Sequence, residues 1–146
     1  MIFTPHVTVA TVVEHEGNYL MVEELSEGNL VYNQPAGHLD ANETLEEAAV
    51  RETLEETGWH VELLGVVGIA LYTSALNNTT YNRTTFFAKA LKREESPALD
   101  DGIQQAIWLS YEEIKQQANK LRSPLVIRAI EQYQNGHRYP LSLIYR

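Results

Sequence analysis

Three carboxylates, Glu52, Glu55 and Glu56, stand together in the run EEAAVRETLEETG, Glu46 to Gly58. On a helix, successive residues turn by about 100°. Positions i, i+3 and i+4 therefore share one face, where like charges repel by a few tenths of a kcal/mol per pair. The three acids also lie in the second half of that helix, where the macrodipole presents partial negative charge. Leu45, Ala48 and Ala49 occupy the same side one and two turns earlier, so the carboxylates are aimed partly toward the protein body. Charges turned inward must be paired or coordinate a metal. Arg51 can pair with Glu47 or Glu55 at i±4, but one arginine is not expected to serve three acids. A hard divalent cation resolves both costs. Mg²⁺ takes oxygen ligands, keeps several waters and commonly meets the phosphates of its substrate. A bare ExxEE triplet is also common on solvated, charge-rich helices. The glycine turn upstream and the overlap with small apolar residues favour the metal here.

The elements that position these acids are marked locally. Thr44 followed by Glu47 reads as a capping box, and Gly58 suits the position just past the helix end. Before the helix, His6 to His15 is β-branched and reads as a strand, with Asn18 to Leu25 as its hairpin partner across a Gly17-Asn18 turn. Leu30 to Gly37 is short and extended, stopped by Pro35 and Gly37. After the helix come an apolar run from Trp59 to Leu71, a strand from Thr79 to Leu91 and a polar loop from Arg93 to Gly102. The strand QQAIWLS ends at Ser110, an N-cap for a helix to about Asn119. Pro124 opens a last helix that ends near Asn135-Gly136. Clustered strands followed by helices predict a mixed sheet with helices packed on its faces, not a doubly wound parallel sheet.

The chain has 146 residues, 44% of them hydrophobic, which predicts one folded domain spanning residues 1–146. It has no cysteine, which excludes disulfides and thiolate metal sites and fits a reducing cytosol. No apolar run reaches membrane-spanning length and no basic leader opens the chain, so a soluble cytoplasmic protein is expected. The net charge of −9 disfavours nucleic acid and anionic lipid as partners. It also makes an anionic substrate awkward unless a cation intervenes.

With those residues in place, the stretch GHLDANETLEEAAVRETLEETGW resembles the Nudix box. In that pattern Gly37, Glu43, Arg51, Glu52, Glu55, Glu56 and Gly58 all fall in register, while Thr53 and Trp59 stand where bulky aliphatics are usual. Thr53 is expected to weaken the packing of the helix slightly. The segments NQPAGHL, LRSPLV and YQNGHRYPL extend the likeness to the NudJ-type bacterial phosphatases of the family. The resemblance implies an α/β (α+β) fold, an α/β/α sandwich around a mixed sheet with the box as a loop–helix–loop. It implies Mg²⁺, with Mn²⁺ able to substitute, held by Glu52, Glu55, Glu56 and the Gly37 carbonyl. Arg51 would orient the glutamates, and Glu43 would support the loop and helix start. Relatives often carry a further acid shortly before a tryptophan. Here Gln104 and Gln105 precede Trp108, with Asp100 and Asp101 the nearest acids. The base then lies on Glu52 or Glu55, or Asp101 reaches in from its loop.

The chemistry expected is attack of water on a phosphorus of a nucleoside di- or triphosphate, or of a related pyrophosphate such as a thiamine-type pyrimidine pyrophosphate. Such transfer depends on positioning and charge neutralisation. Nucleoside diphosphate sugars and dinucleoside polyphosphates are the second substrate option. A non-catalytic nucleotide-sensing module, or a plain interaction domain, is the reading from another class. Smaller expectations attach to Arg83 as a phosphate contact or an exposed strand-edge arginine, and to Gln34 and Gln104 near the substrate. Tyr72, Tyr32 and Phe3 are candidates for stacking or packing, His38 for a loop hydrogen bond, and Arg122 and Arg138 for the pocket or the surface. The sequence leaves monomer or homodimer open.

Overall fold

Two glycine turns start the sheet. Glu16-Gly17 and Glu27-Gly28 each place two consecutive residues at positive φ, 51° and 83° in the first and 51° and 81° in the second. Paired left-handed residues of this kind match the twist of a tight hairpin. In the computed structural model, which describes residues 1–146, they join β1 (His6–His15), β2 (Asn18–Ser26) and β3 (Asn29–Asn33). The remaining elements are β4 (Ala36–His38), α1 (Leu45–Thr57), β5 (Trp59–Thr73), β6 (Thr80–Arg93), β7 (Ile103–Ser110), α2 (Tyr111–Gln116) and α3 (Pro124–Gln134), with single 3-10 turns at Ala118–Lys120 and Leu141–Leu143. The helix expected to reach about Asn119 ends at Gln116 and continues only as the 3-10 turn at Ala118–Lys120. The first turn is Glu16-Gly17 rather than Gly17-Asn18, and the last strands run a residue or two longer than the sequence suggests.

The sheet is mixed. Strand β1 runs parallel to β6, from His6 opposite Tyr81 to Val13 opposite Ala88, and β5 pairs antiparallel with β6 outside it. On its other side β1 meets β2 only at Glu14–Tyr19 and His15–Asn18. Beyond that point the two strands part: β1 takes β4, while β2 takes β3 and β7. The gap opened by this parting becomes the cleft described below.

Alternation along the strands sends neighbours to opposite layers. Val66 packs with Val9 and Phe86 against Ala48 and Ala49 of α1. Val67, the next residue, packs with Val12 and Met21 against Val126 and Ile130 of α3 and Ile114 of α2. The sheet is thus held between α1 and the α2–α3 pair, an α/β/α sandwich. Each large apolar side chain buried this way contributes about 1.5–3 kcal/mol. Thr53 is fully buried, and its hydroxyl donates to the Ala49 carbonyl at 2.8 Å. Trp59 stacks edge-to-face on Trp108, centroids 5.7 Å apart. No helix is long and apolar enough to cross a membrane.

Candidate active site

Helix α1 begins and ends where its caps dictate. Thr44 accepts from the Glu47 amide, Glu47 accepts from the Thr44 amide, and Gly58 adopts φ 77° with its amide bonded to the Leu54 carbonyl. Glu47 is therefore spent on the cap and is not a partner of Arg51. The helix C-terminal half then presents its acids to the sheet edge beside β4. Gly37 of β4 is in close approach: a Cβ there would lie 2.2 Å from the Glu52 carboxyl carbon. Only a glycine admits that carboxylate.

Arg51 reaches two of the three acids, Glu52 and Glu55, and adds Glu43 of the loop, so one arginine does not serve all three, as expected. Its Nε and Nη2 donate to both oxygens of Glu43, at 2.6 and 2.9 Å. Its Nη1 donates to Glu52 at 2.8 Å and Glu55 at 3.1 Å, and Nη2 also reaches the His38 carbonyl at 3.1 Å. One planar fork thus fixes the loop, the helix and two of the box carboxylates, as guanidinium geometry allows. The arginine beside it holds the Glu43 carboxyl down at about 2. Burial pushes Glu52 up, with Arg51 opposing.

Glu56 is the acid Arg51 does not touch. It is buried, and its Oε1 accepts from the Ala36 amide at 2.8 Å. Burial raises its carboxyl to about 9.

One carboxylate oxygen from each of Glu52, Glu55 and Asp100 lies within 4.8 Å of the others. Asp100 was one of two acids available before Trp108, and the backbone selects it. Its amide donates to the Glu55 carbonyl at 3.1 Å, and although both aspartates are exposed, only the Asp100 carboxylate comes within reach of Glu52 and Glu55. Asp101 is therefore not the acid that reaches the box. Gln104 is also exposed, bonded to the Gly102 carbonyl, and lies outside the cleft. Three hard oxygen donors at this spacing suit a divalent cation of the Mg²⁺ or Mn²⁺ type.

Glu52 and Glu56 also line a cleft of about 450 Å³ between the parted strands. Tyr72, Tyr81, Arg83, His38 and Arg122 line it too. Arg83 is no strand-edge residue: β6 is interior to the sheet and Arg83 is 7% exposed. Gln34 is buried and does not line the cleft. Its amide donates to the Val126 carbonyl at 2.6 Å and its oxygen accepts from Arg83 at 2.7 Å. Its role is to hold Arg83. Tyr32 donates to Glu23, Phe3 is exposed away from the cleft, and Arg138 lies over the Tyr133 ring. His38 pairs with His6 at 3.1 Å.

The NUDIX domain model matches residues 3–129. Phosphatase NudJ of Escherichia coli strain K12 is 45% identical over 142 residues, 97% of this chain and 92% of its own length. Phosphatase NudJ of Shigella flexneri is similar to the same extent. A NUDIX hydrolase from Nitrosomonas europaea superposes with a TM-score of 0.96 at 42% identity, covering 98% of this chain and 97% of that one. The glycine-gated carboxylates, the arginine fork and these likenesses agree, and the chain belongs to the Nudix family as a hydrolase of acid-anhydride bonds.

Proposed function

We propose that the chain hydrolyses phosphoanhydride bonds of nucleoside di- and triphosphates and related pyrophosphates, with Mg²⁺ required and Mn²⁺ able to replace it. The observation that carries this reading is the position of Glu52, which belongs both to the cluster with Glu55 and Asp100 and to the cleft wall. A substrate in the cleft then meets the acids from the side of Glu52 and Glu56. Glu52, Glu55 and Asp100 would hold the cation, with Glu56 and the Gly37 carbonyl as further ligands. The cation, when bound, supplies neutralisation of the phosphate charge and activates water.

The chain's own residues do the rest. Arg51 fixes the rotamers of Glu52 and Glu55, so neither has to reorganise during reaction. Glu55 Oε2 is held by Arg51 and half-exposed, placed to take a proton from water at the edge of the cluster. Glu52, screened from solvent, is the other carboxylate able to act as base. Asp100 supplies the acid that Gln104 and Gln105 cannot. Names of relatives support phosphatase action on small phosphate compounds.

The test is release of phosphate from a panel of nucleoside di- and triphosphates, pyrimidine pyrophosphates, nucleoside diphosphate sugars and dinucleoside polyphosphates. Turnover with Mg²⁺, lost by about 10²-fold or more in Glu55→Gln, supports the reading. Absence of turnover on every compound, or an undiminished variant, refutes it.

A further inference from the structure

The cleft is lined by five carboxylates, Glu24, Glu27, Asp40, Glu52 and Glu56, and by two arginines. Arg122 is occupied by Glu24, at 2.7 Å. Arg83 is different. Its Nη2 is fixed by the side-chain oxygens of Asn33 at 3.3 Å and Gln34 at 2.7 Å, and no carboxylate comes within ion-pair reach. Its Nε is buried without any partner. Its Nη1 has no hydrogen bond either and is not fully enclosed, and the residue lines this cleft as well as a second hollow against α3. A guanidinium that is more than nine-tenths buried and only half satisfied costs free energy unless an anion completes it. The supports are built for position: Gln34 is itself anchored on the Val126 carbonyl of α3.

The first turn of α3 faces the same space, through Ser123 and Leu125. Helices α1 and α2 each carry two glutamates in their first turns, whereas α3 carries no acid there. Pro124 offers no N–H there, and the Leu125 and Val126 amides are taken by the Ser123 hydroxyl and carbonyl, so this end adds only its dipole and no free donor. The neighbouring register places Arg83 opposite Thr8 of β1, which pairs with His38 beside Gly37. Arg83 thus sits on the strand row next to the glycine that admits Glu52.

We propose that Arg83 Nη1, beside the N-terminus of α3, forms an anion subsite that binds a phosphoryl group of the substrate through the protein itself. This deepens the hydrolase reading above and rests on it for the identity of the ligand. Substrates carrying a second phosphoryl group beyond the one at the carboxylate cluster gain this contact. Monophosphates bridging only the cluster do not. Gln34 acts as a positioning residue for Arg83 rather than as a substrate contact.

The experiment measures equilibrium binding of α,β-methylene-ADP, which is not hydrolysed, to the full chain with Mg²⁺. Arg83→Met is expected to raise Kd about ten- to a hundredfold, as for loss of a charge-assisted hydrogen bond. Arg83→Lys should recover part of that loss, and Mn²⁺ affinity should stay within about twofold of the wild type in both variants. A Kd for the analogue within about twofold of wild type in Arg83→Met overturns the subsite. If the methionine variant fails to fold, side-chain NMR of the wild type decides. The Arg83 Nε–Hε resonance, assigned with the lysine variant, should move on titration with the analogue, and an unmoved resonance refutes the proposal. Failure of the hydrolase reading is separable. Arg83-dependent binding without turnover of any compound refutes hydrolysis and keeps the subsite. Turnover with Arg83-independent binding does the reverse.

Discussion

Glu56 is the box carboxylate most costly to keep charged. It is buried, has one protein hydrogen bond and no arginine, and its carboxyl titrates near 9 in the fold against an ordinary 4.5. The folded state thus holds this proton more tightly than the unfolded chain. Its stabilising effect is complete below about 4.5 and is lost as pH rises toward about 9. Without divalent cation, Glu56→Gln should therefore stabilise the protein at pH 8 by about 1–3 kcal/mol and leave it unchanged near pH 4. The amide keeps an acceptor for the Ala36 N–H. Urea unfolding in EDTA at both pH values measures this; equal midpoints at pH 8 would contradict the assignment. The same variant should lose most activity. Gly37 gives the converse case. A Cβ at that position collides with the far end of a flexible side chain, Glu52, not with backbone. Gly37→Ala should leave the melting temperature within a few degrees and lower kcat/KM by about 10²-fold, the cost of a displaced catalytic group. A variant that melts early but turns over normally would show that the close contact is structural only.

At the scale of elements, α1 was legible because its signals are local. Thr44, Glu47 and Gly58 cap it where their types and spacing say they should. The strands were legible from β-branched runs between turn residues. What was not legible depends on distant pairing. Nothing local shows that the loop before α1 folds back to bring Glu43 onto Arg51, eight residues away. Nor does spacing reveal that β6 lies inside the sheet, which buries Arg83, or that the turn at Gly102 brings in Asp100 and leaves Asp101 outside. The Glu43–Arg51 fork makes a prediction about the loop–helix unit. Glu43 titrates near 2, below its ordinary 4.5, so the stabilisation is complete above about 4.5 and is lost as pH falls through about 2. Wild type should lose stability across that window more steeply than Glu43→Gln, with the two curves converging at the acid end. Parallel urea midpoints from pH 6 down to pH 2 would show that the fork adds no net stability.

The whole molecule is closed by its C-terminal segment. After α3 the chain turns back at Gly136, and Tyr139 exchanges two backbone bonds with Val66 of β5, both 2.8 Å. Beyond it, Leu141 and Ile144 pack on the cluster between the sheet and α1. The segment thus leaves the face covered by α3, crosses the outer strand and ends on the face covered by α1. It fastens both layers of the sandwich and covers part of an outer strand that would otherwise present open backbone groups. Gly65 fits this crossing, since a Cβ there would meet the Tyr139 carbonyl at 2.4 Å. The NUDIX domain match ends at residue 129, so this fastening lies beyond the matched pattern. Removing residues 137–146 uncovers two half-buried aliphatic side chains and the β5 edge, a loss of about 2–4 kcal/mol. The truncated chain should show a lower urea midpoint and should associate through the opened edge, seen as concentration-dependent sedimentation. The carboxylate cluster does not touch the segment, so Mn²⁺ affinity of the folded fraction should persist. An unchanged midpoint with monodisperse sedimentation would show that α1 and the sheet hold together without the crossing.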